Sequence, residues 1–286
     1  MSSFSQRIRW TRIKIGLARP LYWFARAMCR RDRLTISRGG IQYAIDLREG
    51  LDLSLFWFGK FQKHVFQSRL FCLPADGVVL DVGANFGLMA LQYAKAVPRG
   101  HVYAFEPTDY ALGHLEENLK LNTELARRIF VMQTFVSEHS NSCSEMVAYS
   151  SWPVDGNAPP TAHPVHGGVA QRTETVGQIT LDDFMVQQSL DRVNLIKIDT
   201  DGYEVQVLRG ARQMLEKLKP MVIFEAGQYS LREKGFTLEA VWNCLPGYRI
   251  YDLASGREIT AADRDVRVPE NSTVDLIAIF AKAAAE

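Results

Sequence analysis

The stretch VVLDVGANFG, residues 78–87, decides the fold of this chain. Its apolar first half predicts a buried strand at Val78–Val82, and its second half predicts a glycine turn followed by a helix. We expect Asp81 at the end of the strand, Gly83 in a tight turn against a ligand, and Gly87 where the helix packs close to the sheet. This order of elements is typical of a nucleotide-cofactor loop.

From Val78 onward, strand patterns alternate with helical patterns, which predicts a parallel sheet with crossover helices. The predicted strands cover residues 78–82, 101–106, 129–136, 194–199, 221–225, 248–253 and 274–280, and the predicted helices cover 86–96, 110–121, 204–218 and 238–244. Seven such strands predict a doubly wound, Rossmann-like α/β sheet that ends in an antiparallel hairpin.

The sequence predicts two parts, an N-terminal extension at residues 1–75 and a catalytic domain at 76–286. In the extension, residues 34–48 alternate like two strands around the turn signal Gly39-Gly40, which predicts a hairpin, and residues 53–71 look helical. Within the catalytic domain, residues 137–175 show no regular pattern. Connections of this length are usually functional or disordered.

Charge is unevenly distributed along the chain. Residues 1–33 hold nine arginines and lysines against one acid, a net charge of +8, whereas the whole chain carries +1. The remainder is therefore mildly acidic, which argues against a nucleic-acid partner. Basic segments with interleaved aromatic residues bind anionic membrane surfaces. Two interpretations of this arm stay open: a peripheral contact with the inner face of a membrane, or a pair of helices packed on the catalytic domain.

Composition places the chain among ordinary globular proteins, with 47% hydrophobic and 23% charged residues. The four cysteines show no CxxC or Cys/His spacing, which disfavours a zinc site and a disulfide framework. Arginines interrupt the apolar residues of the N-terminus, so a secretion signal is not predicted. We expect a cytoplasmic protein. The sequence does not predict its oligomeric state.

The loop after the first strand differs from the dinucleotide-binding pattern GxGxxG, which cradles a pyrophosphate. Here an acid, Asp81, takes the position, and its negative charge suits a cationic ligand. S-adenosylmethionine is such a ligand, because it carries an α-amino group and a sulfonium. The next strand ends at Glu106, where a carboxylate accepts hydrogen bonds from ribose hydroxyls. The residues predicted to bind this cofactor are Asp81, Gly83, Ala84, Asn85, Gly87, Glu106, Pro107 and Thr108.

A second motif is NLIKIDTDGYEVQVLRGA, residues 194–211. Its apolar strand brings Asp199 to the carboxyl edge of the sheet, where open α/β sheets bind ligands. Asp201 and Glu204 follow, either as part of the site or as the N-cap and capping-box partner of the next helix. The strand MVIFEAG brings Glu225 to the same edge.

Together, the motifs DVGANFG, FEP, ITLDDF, IKIDTDGYEVQVLRGA and MVIFEAG resemble the FkbM family of O-methyltransferases over about residues 78–226. The resemblance implies a class I methyltransferase fold, S-adenosylmethionine as cofactor, and methyl transfer to an oxygen. Members often act on sugars, glycans or natural-product hydroxyls, so a small-molecule or glycan acceptor is the expected partner. The chain departs from the family at Phe61-Gln62, where many relatives have an aromatic residue followed by Glu.

Because a hydroxyl acceptor has a high pKa, methyl transfer to it needs a base or a metal. The candidate catalytic bases are Asp199, Asp201 and Glu225, joined by His163 and His166 from the 137–175 loop. The same three acids are also candidate ligands for a divalent cation, and the sequence leaves base and metal open. The remaining histidines, His64, His101, His114 and His139, are predicted to be structural or exposed.

Two other function classes share this fold. A nicotinamide-dependent oxidoreductase needs the GxGxxG loop, which residues 83–87 do not supply. A non-catalytic cofactor-binding subunit would show an eroded loop, whereas both Asp81 and Glu106 are present here. A nucleic-acid methyltransferase is disfavoured because the chain lacks an Asn/Asp-Pro-Pro-Tyr loop for base flipping.

Overall fold

The computed structural model describes residues 18–59, 63–141, 146–149, 152–156, 162–163, 167–173, 176–270 and 272–281. Some sequence predictions concern residues outside these ranges. They are the first half of the basic arm, residues 1–17, the Phe61-Gln62 pair, and His166.

The N-terminal extension begins with a helix at residues 18–29, α1. Strands β1 (Arg33–Arg38) and β2 (Ile41–Asp46) pair antiparallel, and Gly39 and Gly40 form the turn with φ of +58° and +77°. These positive φ angles favour glycine, which explains the turn signal. Two helices follow, α2 (Gly50–Phe58) and α3 (Lys63–Phe66). The predicted hairpin is confirmed, whereas the predicted helical segment 53–71 is helical only in part, since α3 ends at Phe66 and residues 67–71 are not helical.

The hairpin is fastened to the rest of the molecule by amide side chains. The following elements are β3 (Val78–Val82), α4 (Leu88–Ala96), β4 (His101–Phe105) and α5 (Asp109–Leu121). Asn118 of α5 and Asn122, the C-cap of this helix, accept hydrogen bonds from the backbone N–H groups of Ala44 and Gln42, at 2.8 and 2.9 Å. Because these contacts satisfy backbone groups at the edge of β2, the extension packs on α5.

The remaining elements alternate as the sequence predicts, with additional short segments. They are α6 (Thr123–Ala126), β5 (Ile129–Met132), β6 (Phe135–Val136), β7 (Met146–Tyr149), β8 (Ala170–Thr173), β9 (Gln178–Ile179), α7 (Leu181–Gln187), β10 (Leu195–Ile198), α8 (Glu204–Arg209), α9 (Arg212–Lys217), β11 (Met221–Gly227), α10 (Gln228–Glu233), α11 (Leu238–Asn243), β12 (Tyr248–Asp252), α12 (Arg264–Arg267) and β13 (Thr273–Phe280).

Seven strands form the central sheet in the order β12-β13-β11-β10-β3-β4-β5. The five strands from β11 to β5 are parallel, whereas β13 runs antiparallel to both β11 and β12. The strand order reverses between β3 and β10. Such a switch point places a crevice at the carboxyl edge of the sheet, and it brings the ends of these two strands together.

Apolar side chains cover both faces of the sheet. Tyr43, Leu91 and Leu115 belong to a core shared by the hairpin, α4 and α5, and a second core on the other face includes Phe184 and Leu208. Each fully buried side chain of this size contributes about 1.5–3 kcal/mol relative to an exposed one. The two cores hold the strand ends in fixed positions.

Two predicted elements are interrupted. The predicted strand 129–136 divides into β5, in the main sheet, and β6, which pairs with β9. The predicted helix 204–218 divides into α8 and α9 around Gly210, where a Cβ would collide with the carbonyl oxygen of Ser137. The 137–175 segment is also partly regular, since β7 and β8 form an antiparallel pair within it.

Candidate active site

Three residues of the loop after β3 have left-handed backbone conformations. The φ angles of Gly83, Asn85 and Gly87 are +76°, +50° and +78°. A Cβ at Gly83 would collide with the carbonyl oxygen of Asp199, so contact with the neighbouring strand end requires glycine there. Gly87 is the N-cap of α4, and a Cβ there would lie 3.1 Å from Leu115 on α5. The structure therefore adds a backbone reason for each glycine, and the predicted contact of Gly83 with a ligand stays a prediction.

Glu106 is buried directly after β4 and is held by three hydrogen bonds. The Asn85 N–H donates to Oε2 at 2.9 Å, and Thr108 donates to Oε1 through its N–H at 2.9 Å and its hydroxyl at 2.6 Å. Burial raises the pKa of Glu106, and these bonds oppose that rise. Pro107 separates Glu106 from Thr108 in the sequence, and the Ala84 N–H donates a hydrogen bond to the Phe105 carbonyl. The loop and the carboxylate thus form one rigid unit.

Lys197 is a member of the site that sequence reasoning missed. This buried side chain of β10 lies with Nζ 3.1 Å from Asp81 Oδ1 and 3.6 Å from Asp199 Oδ2, and it donates to the Gly83 carbonyl at 2.8 Å. Burial lowers the pKa of Lys197, but the adjacent carboxylates outweigh burial and raise it. A lone lysine in the apolar run NLIKID was the available signal.

The ion pair changes the electrostatic role of Asp81. The sequence assigned its negative charge to a cationic ligand, whereas Lys197 already compensates that charge. Even so, Asp81 Oδ2 and Asn85 Oδ1 are buried and lack a hydrogen-bond partner among the described residues. Unsatisfied buried acceptors are costly, and an ammonium donor would satisfy them. The loop therefore fits the α-amino group of S-adenosylmethionine.

The carboxylates of Asp199, Glu225 and Asp275 interact electrostatically near the carboxyl edge of the sheet, where Asp199 follows β10 and the other two lie on the paired strands β11 and β13. Burial raises the pKa of Asp199, the charges of Asp275 and Asp81 raise it further, and Lys197 opposes them. The pKa of Glu225 lies well above its ordinary value because of burial and the charge of Asp199, although the Thr273 hydroxyl donates to its Oε1 at 2.6 Å. Asp275 is directly opposite Glu225 in the β11–β13 register.

Asp275 was absent from the sequence prediction. The available signal was an acid within the apolar strand TVDLIAIF. The antiparallel position of β13 makes this residue part of the carboxyl edge, because the beginning of β13 lies beside the end of β11.

Asp201 and Glu204 belong to the turn before α8. Tyr203, not Asp201, is the N-cap of this helix, so the alternative of an Asp201 cap is wrong. Buried Glu204 Oε1 accepts hydrogen bonds from the Thr200 N–H and hydroxyl and from the Gly202 N–H, at 3.0–3.2 Å. These contacts give Glu204 a structural role in the turn. Asp201 has a left-handed φ of +51°, and its catalytic role stays a prediction.

Two described histidines make ion pairs close to this edge. His163 is buried, and its Nε2 lies 3.0 Å from Glu233 Oε2, so it joins the 137–175 segment to α10. His64 Nε2 lies 2.5 Å from Asp275 Oδ2, which brings the N-terminal extension to the carboxyl edge. The sequence predicted no catalytic role for His64, because its partner Asp275 lies far away in the sequence, near the other end of the chain.

The sheet order, with antiparallel β13 between β11 and β12, and the acid-glycine loop after β3 define a class I methyltransferase fold. The family model described as methyltransferase FkbM domain matches residues 81–250, and the chain belongs to this family. It is a methyltransferase that uses S-adenosylmethionine. The predicted family and fold are confirmed, and the oxidoreductase and the non-catalytic subunit are excluded.

Three curated methyltransferases are similar to this chain. Methyltransferase sdnD of Sordaria araneosa is 24% identical over 233 residues, 68% of this chain and 89% of that protein. The 2-O-methyltransferase NoeI of Sinorhizobium fredii is 22% identical over 189 residues, 61% of this chain and 73% of that protein. The hexuronic acid methyltransferase AglP of Haloferax volcanii is 22% identical over 148 residues, 52% of this chain and 55% of that protein.

Proposed function

We propose that this protein methylates a hydroxyl group of a sugar or glycan. The observation that carries the proposal is the direct connection between the cofactor loop and the acidic edge, since Lys197 contacts Gly83, Asp81 and Asp199. Open α/β sheets bind their ligands in this crevice. NoeI and AglP, whose names specify 2-O-methylation and a hexuronic acid, support an oxygen atom and a sugar-like acceptor.

In this proposal, the loop and Glu106 hold the cofactor. Asn85 Oδ1 and Asp81 Oδ2 accept hydrogen bonds from its α-amino group, and Glu106 accepts from its ribose hydroxyls with its remaining lone pairs. Thr108 fixes the carboxylate of Glu106 with two hydrogen bonds, and Pro107 is the residue between them in the sequence. Bound S-adenosylmethionine supplies a methyl group activated by a sulfonium.

The acceptor occupies the acidic side of the crevice. Asp199 orients the reacting hydroxyl, because it lies beside the cofactor loop, 3.6 Å from the ammonium group that it shares with Asp81. Burial and the charge of Asp199 raise the pKa of Glu225 well above its ordinary value, and in this proposal its carboxyl group forms a hydrogen bond with the acceptor. Asp201 lies on the adjacent turn and contributes to acceptor binding.

We propose further that the reaction needs no divalent metal ion. The ammonium group of Lys197 already lies between Asp81 and Asp199, where a cation would bind. The fixed charge of Lys197 therefore takes the electrostatic role that a bound ion has in other sites.

The acceptor is tested by comparing the surface glycans and lipids of cells with and without the gene, using mass spectrometry. We expect one or more sugar species to lose the mass of one CH₂ unit per missing methyl group. Unchanged glycans together with a methyl loss in a non-sugar compound would contradict the sugar acceptor and keep the methyl transfer. A loss of methyl groups from nitrogen would contradict O-methylation.

The arm is proposed to bind the inner face of a membrane. On α1, Tyr22 and Ala25 are buried against the protein, whereas Trp23, Phe24 and Met28 are 59%, 59% and 60% exposed. Phe24 stacks on Trp57 of α2 at 5.7 Å, and the neighbouring Phe58 is 65% exposed. Exposed aromatic residues beside arginines are typical of helices that lie on anionic lipid.

Among the described residues, none of the helices has the length and apolar character needed to span a bilayer.

A further inference from the structure

His64 reaches the carboxyl edge from outside the methyltransferase sheet. It lies on α3, and the Tyr93 hydroxyl of α4 fixes this helix by donating to the Val65 carbonyl at 3.1 Å. Both Val65 and Tyr93 are buried. The position of the imidazole ring is therefore set by packing against the helix that follows the cofactor loop.

The partner of His64 belongs to the acidic edge. His64 Nε2 lies 2.5 Å from Asp275 Oδ2, and Asp275 is opposite Glu225 in the antiparallel register. Opposite residues of antiparallel strands project to the same face of the sheet. The charge of Asp275 also raises the pKa of both Glu225 and Asp199. His64 consequently shares one electrostatic environment with the acids of the proposed acceptor site.

The other groups at this edge are poorly suited to remove a proton from a hydroxyl. Burial and the charge of Asp199 raise the pKa of Glu225 well above its ordinary value, and its Oε1 already accepts a hydrogen bond from the Thr273 hydroxyl at 2.6 Å. Asp199 Oδ2 already faces the ammonium group of Lys197 at 3.6 Å, and the charge of Lys197 opposes the rise in the Asp199 pKa that burial causes. A proton acceptor with a pKa near neutrality is more effective, and histidine provides it.

His64 has the hydrogen-bond arrangement of a base. A carboxylate only accepts hydrogen bonds when ionised, so Asp275 fixes the proton of the neutral ring on Nε2 and leaves the lone pair on Nδ1. Nδ1 makes no hydrogen bond to any residue the structure describes, and the side chain is 36% exposed. The hydrogen bond to Asp275 raises the pKa of His64, and the charges of Asp275 and Asp252 raise it further. Burial of the ring opposes this rise.

We propose that His64, oriented by Asp275, is the general base that accepts the proton of the acceptor hydroxyl; this inference rests on the proposed O-methylation. The acceptor oxygen forms its bond to the methyl carbon while the carbon–sulfur bond breaks and its electron pair stays on sulfur. The hydroxyl proton moves to Nδ1. The ring then carries a positive charge, which the Asp275 carboxylate stabilises.

The test measures transfer of an isotope-labelled methyl group from S-adenosylmethionine to an extract of cells lacking the gene. We expect His64→Gln to lower the rate by about 10²-fold or more, within the usual range for a lost general base. In the wild-type protein the rate rises with pH through the raised pKa of His64, because only the neutral ring accepts a proton. His64→Gln loses this rise. The matched control is His101→Gln, at an exposed position at the start of β4, and it keeps both rate and pH profile.

Binding and spectroscopy separate the possible outcomes. S-adenosylmethionine affinity, measured by calorimetry, stays unchanged in His64→Gln. The ¹⁵N NMR spectrum of His64 shows the Nε2–H form, and Asp275→Asn lowers its titration midpoint. A folded His64→Gln protein with the wild-type rate and pH profile overturns the proposal. If wild-type protein labels no hydroxyl compound, the proposed function fails instead. If Asp275→Asn leaves the titration midpoint of His64 unchanged, the proposed pairing of His64 with Asp275 is refuted, whether or not methyl transfer to a hydroxyl is found.

Discussion

Lys197 Nζ lies 3.1 Å from Asp81 Oδ1, with both side chains buried where β10 and β3 run side by side. Their backbones are direct partners in the parallel register, so the pair is built into the sheet. The same ammonium group bonds to the Gly83 carbonyl at 2.8 Å. The pair therefore links the stability of the sheet to the conformation of the cofactor loop.

Removal of one partner is expected to destabilise the fold. Lys197→Met leaves the charge of Asp81 buried without its partner, which costs about 3–5 kcal/mol. Urea unfolding measures the loss. The double variant Lys197→Met/Asp81→Asn removes both charges and should recover much of it. Equal unfolding free energies for the wild type and Lys197→Met would show that the pair contributes nothing.

Cofactor binding depends on the unit formed by the loop and Glu106. We expect micromolar affinity for S-adenosylmethionine, about −8 kcal/mol, and a tenfold or larger weakening in Glu106→Gln, about 1.4 kcal/mol. Gln supplies one acceptor oxygen instead of two, so the bond from Asn85 or those from Thr108 are lost. Isothermal titration measures the change, with the exposed Glu117→Gln on the adjacent helix as control. Binding of NAD without S-adenosylmethionine would refute the cofactor assignment.

Asp199→Asn is expected to slow methyl transfer by about 10²-fold with little change in melting temperature, because a poorly oriented hydroxyl reacts slowly. Asp199→Asn keeps the pH dependence that His64→Gln loses, so the two roles can be told apart. A chelator should leave the wild-type rate unchanged. Activity that is lost with chelator and restored by a divalent ion would contradict the metal-free proposal. Normal activity of a folded Asp199→Asn protein would remove this residue from the site.

The pH dependence of stability should carry the signature of Asp52. This carboxyl of α2 is buried, and burial raises its pKa to about 8. Between its ordinary pKa and about 8, the folded state therefore holds one more proton than the unfolded chain, so stability falls as pH rises through this window. Asp52→Asn keeps an acceptor for the Asp46 N–H, at 2.8 Å in the wild type, and removes the titration.

Melting temperatures between pH 5 and 8 measure this effect. We expect a shallower decline in Asp52→Asn than in the wild type, and an unchanged decline in the exposed control Asp191→Asn. Parallel curves for all three proteins would mean that Asp52 is ionised in the folded state.

The sequence predicted the sheet because local patterns determine it. Apolar runs such as Val78–Val82 and Leu195–Ile198 can be recognised as strands without knowing which strands lie beside them in the sheet. The interruption at Gly210 was not predicted, and the close approach of Ser137 that requires glycine there joins residues far apart in the sequence. The N-cap of α8 was also misassigned, because the turn at residues 199–203 is shaped by Glu204.

The candidate site was predicted only where a motif ends a strand. Asp81, Glu106, Asp199 and Glu225 lie at strand ends of the sheet, as their patterns indicated, although their chemical roles stay predictions. Lys197 and Asp275 are single charges within apolar strands, and the partner of each is set by the strand order. His64 comes from α3, and no local pattern relates this helix to β13.

The membrane proposal predicts that the exposed face of α1 is required for lipid binding. Wild-type protein should float with vesicles that contain anionic lipid, and high salt should weaken binding, because each Arg near the surface contributes about 1 kcal/mol that salt screens. Trp23→Glu/Phe24→Glu replaces two exposed aromatic residues by acids without altering the buried Tyr22 and Ala25, so flotation should be lost and the melting temperature retained.

The matched control places the same charges on apolar residues elsewhere. Val186 and Val266 are 71% and 85% exposed, so Val186→Glu/Val266→Glu changes the net charge equally and should leave flotation intact. Equal loss in both double variants would mean that total charge, not this face, governs binding. If Trp23→Glu/Phe24→Glu still floats, the face formed by Trp23, Phe24, Met28 and Phe58 is not the lipid contact. Wild-type protein that fails to bind anionic vesicles would favour the other interpretation of the arm, helices that pack on the catalytic domain.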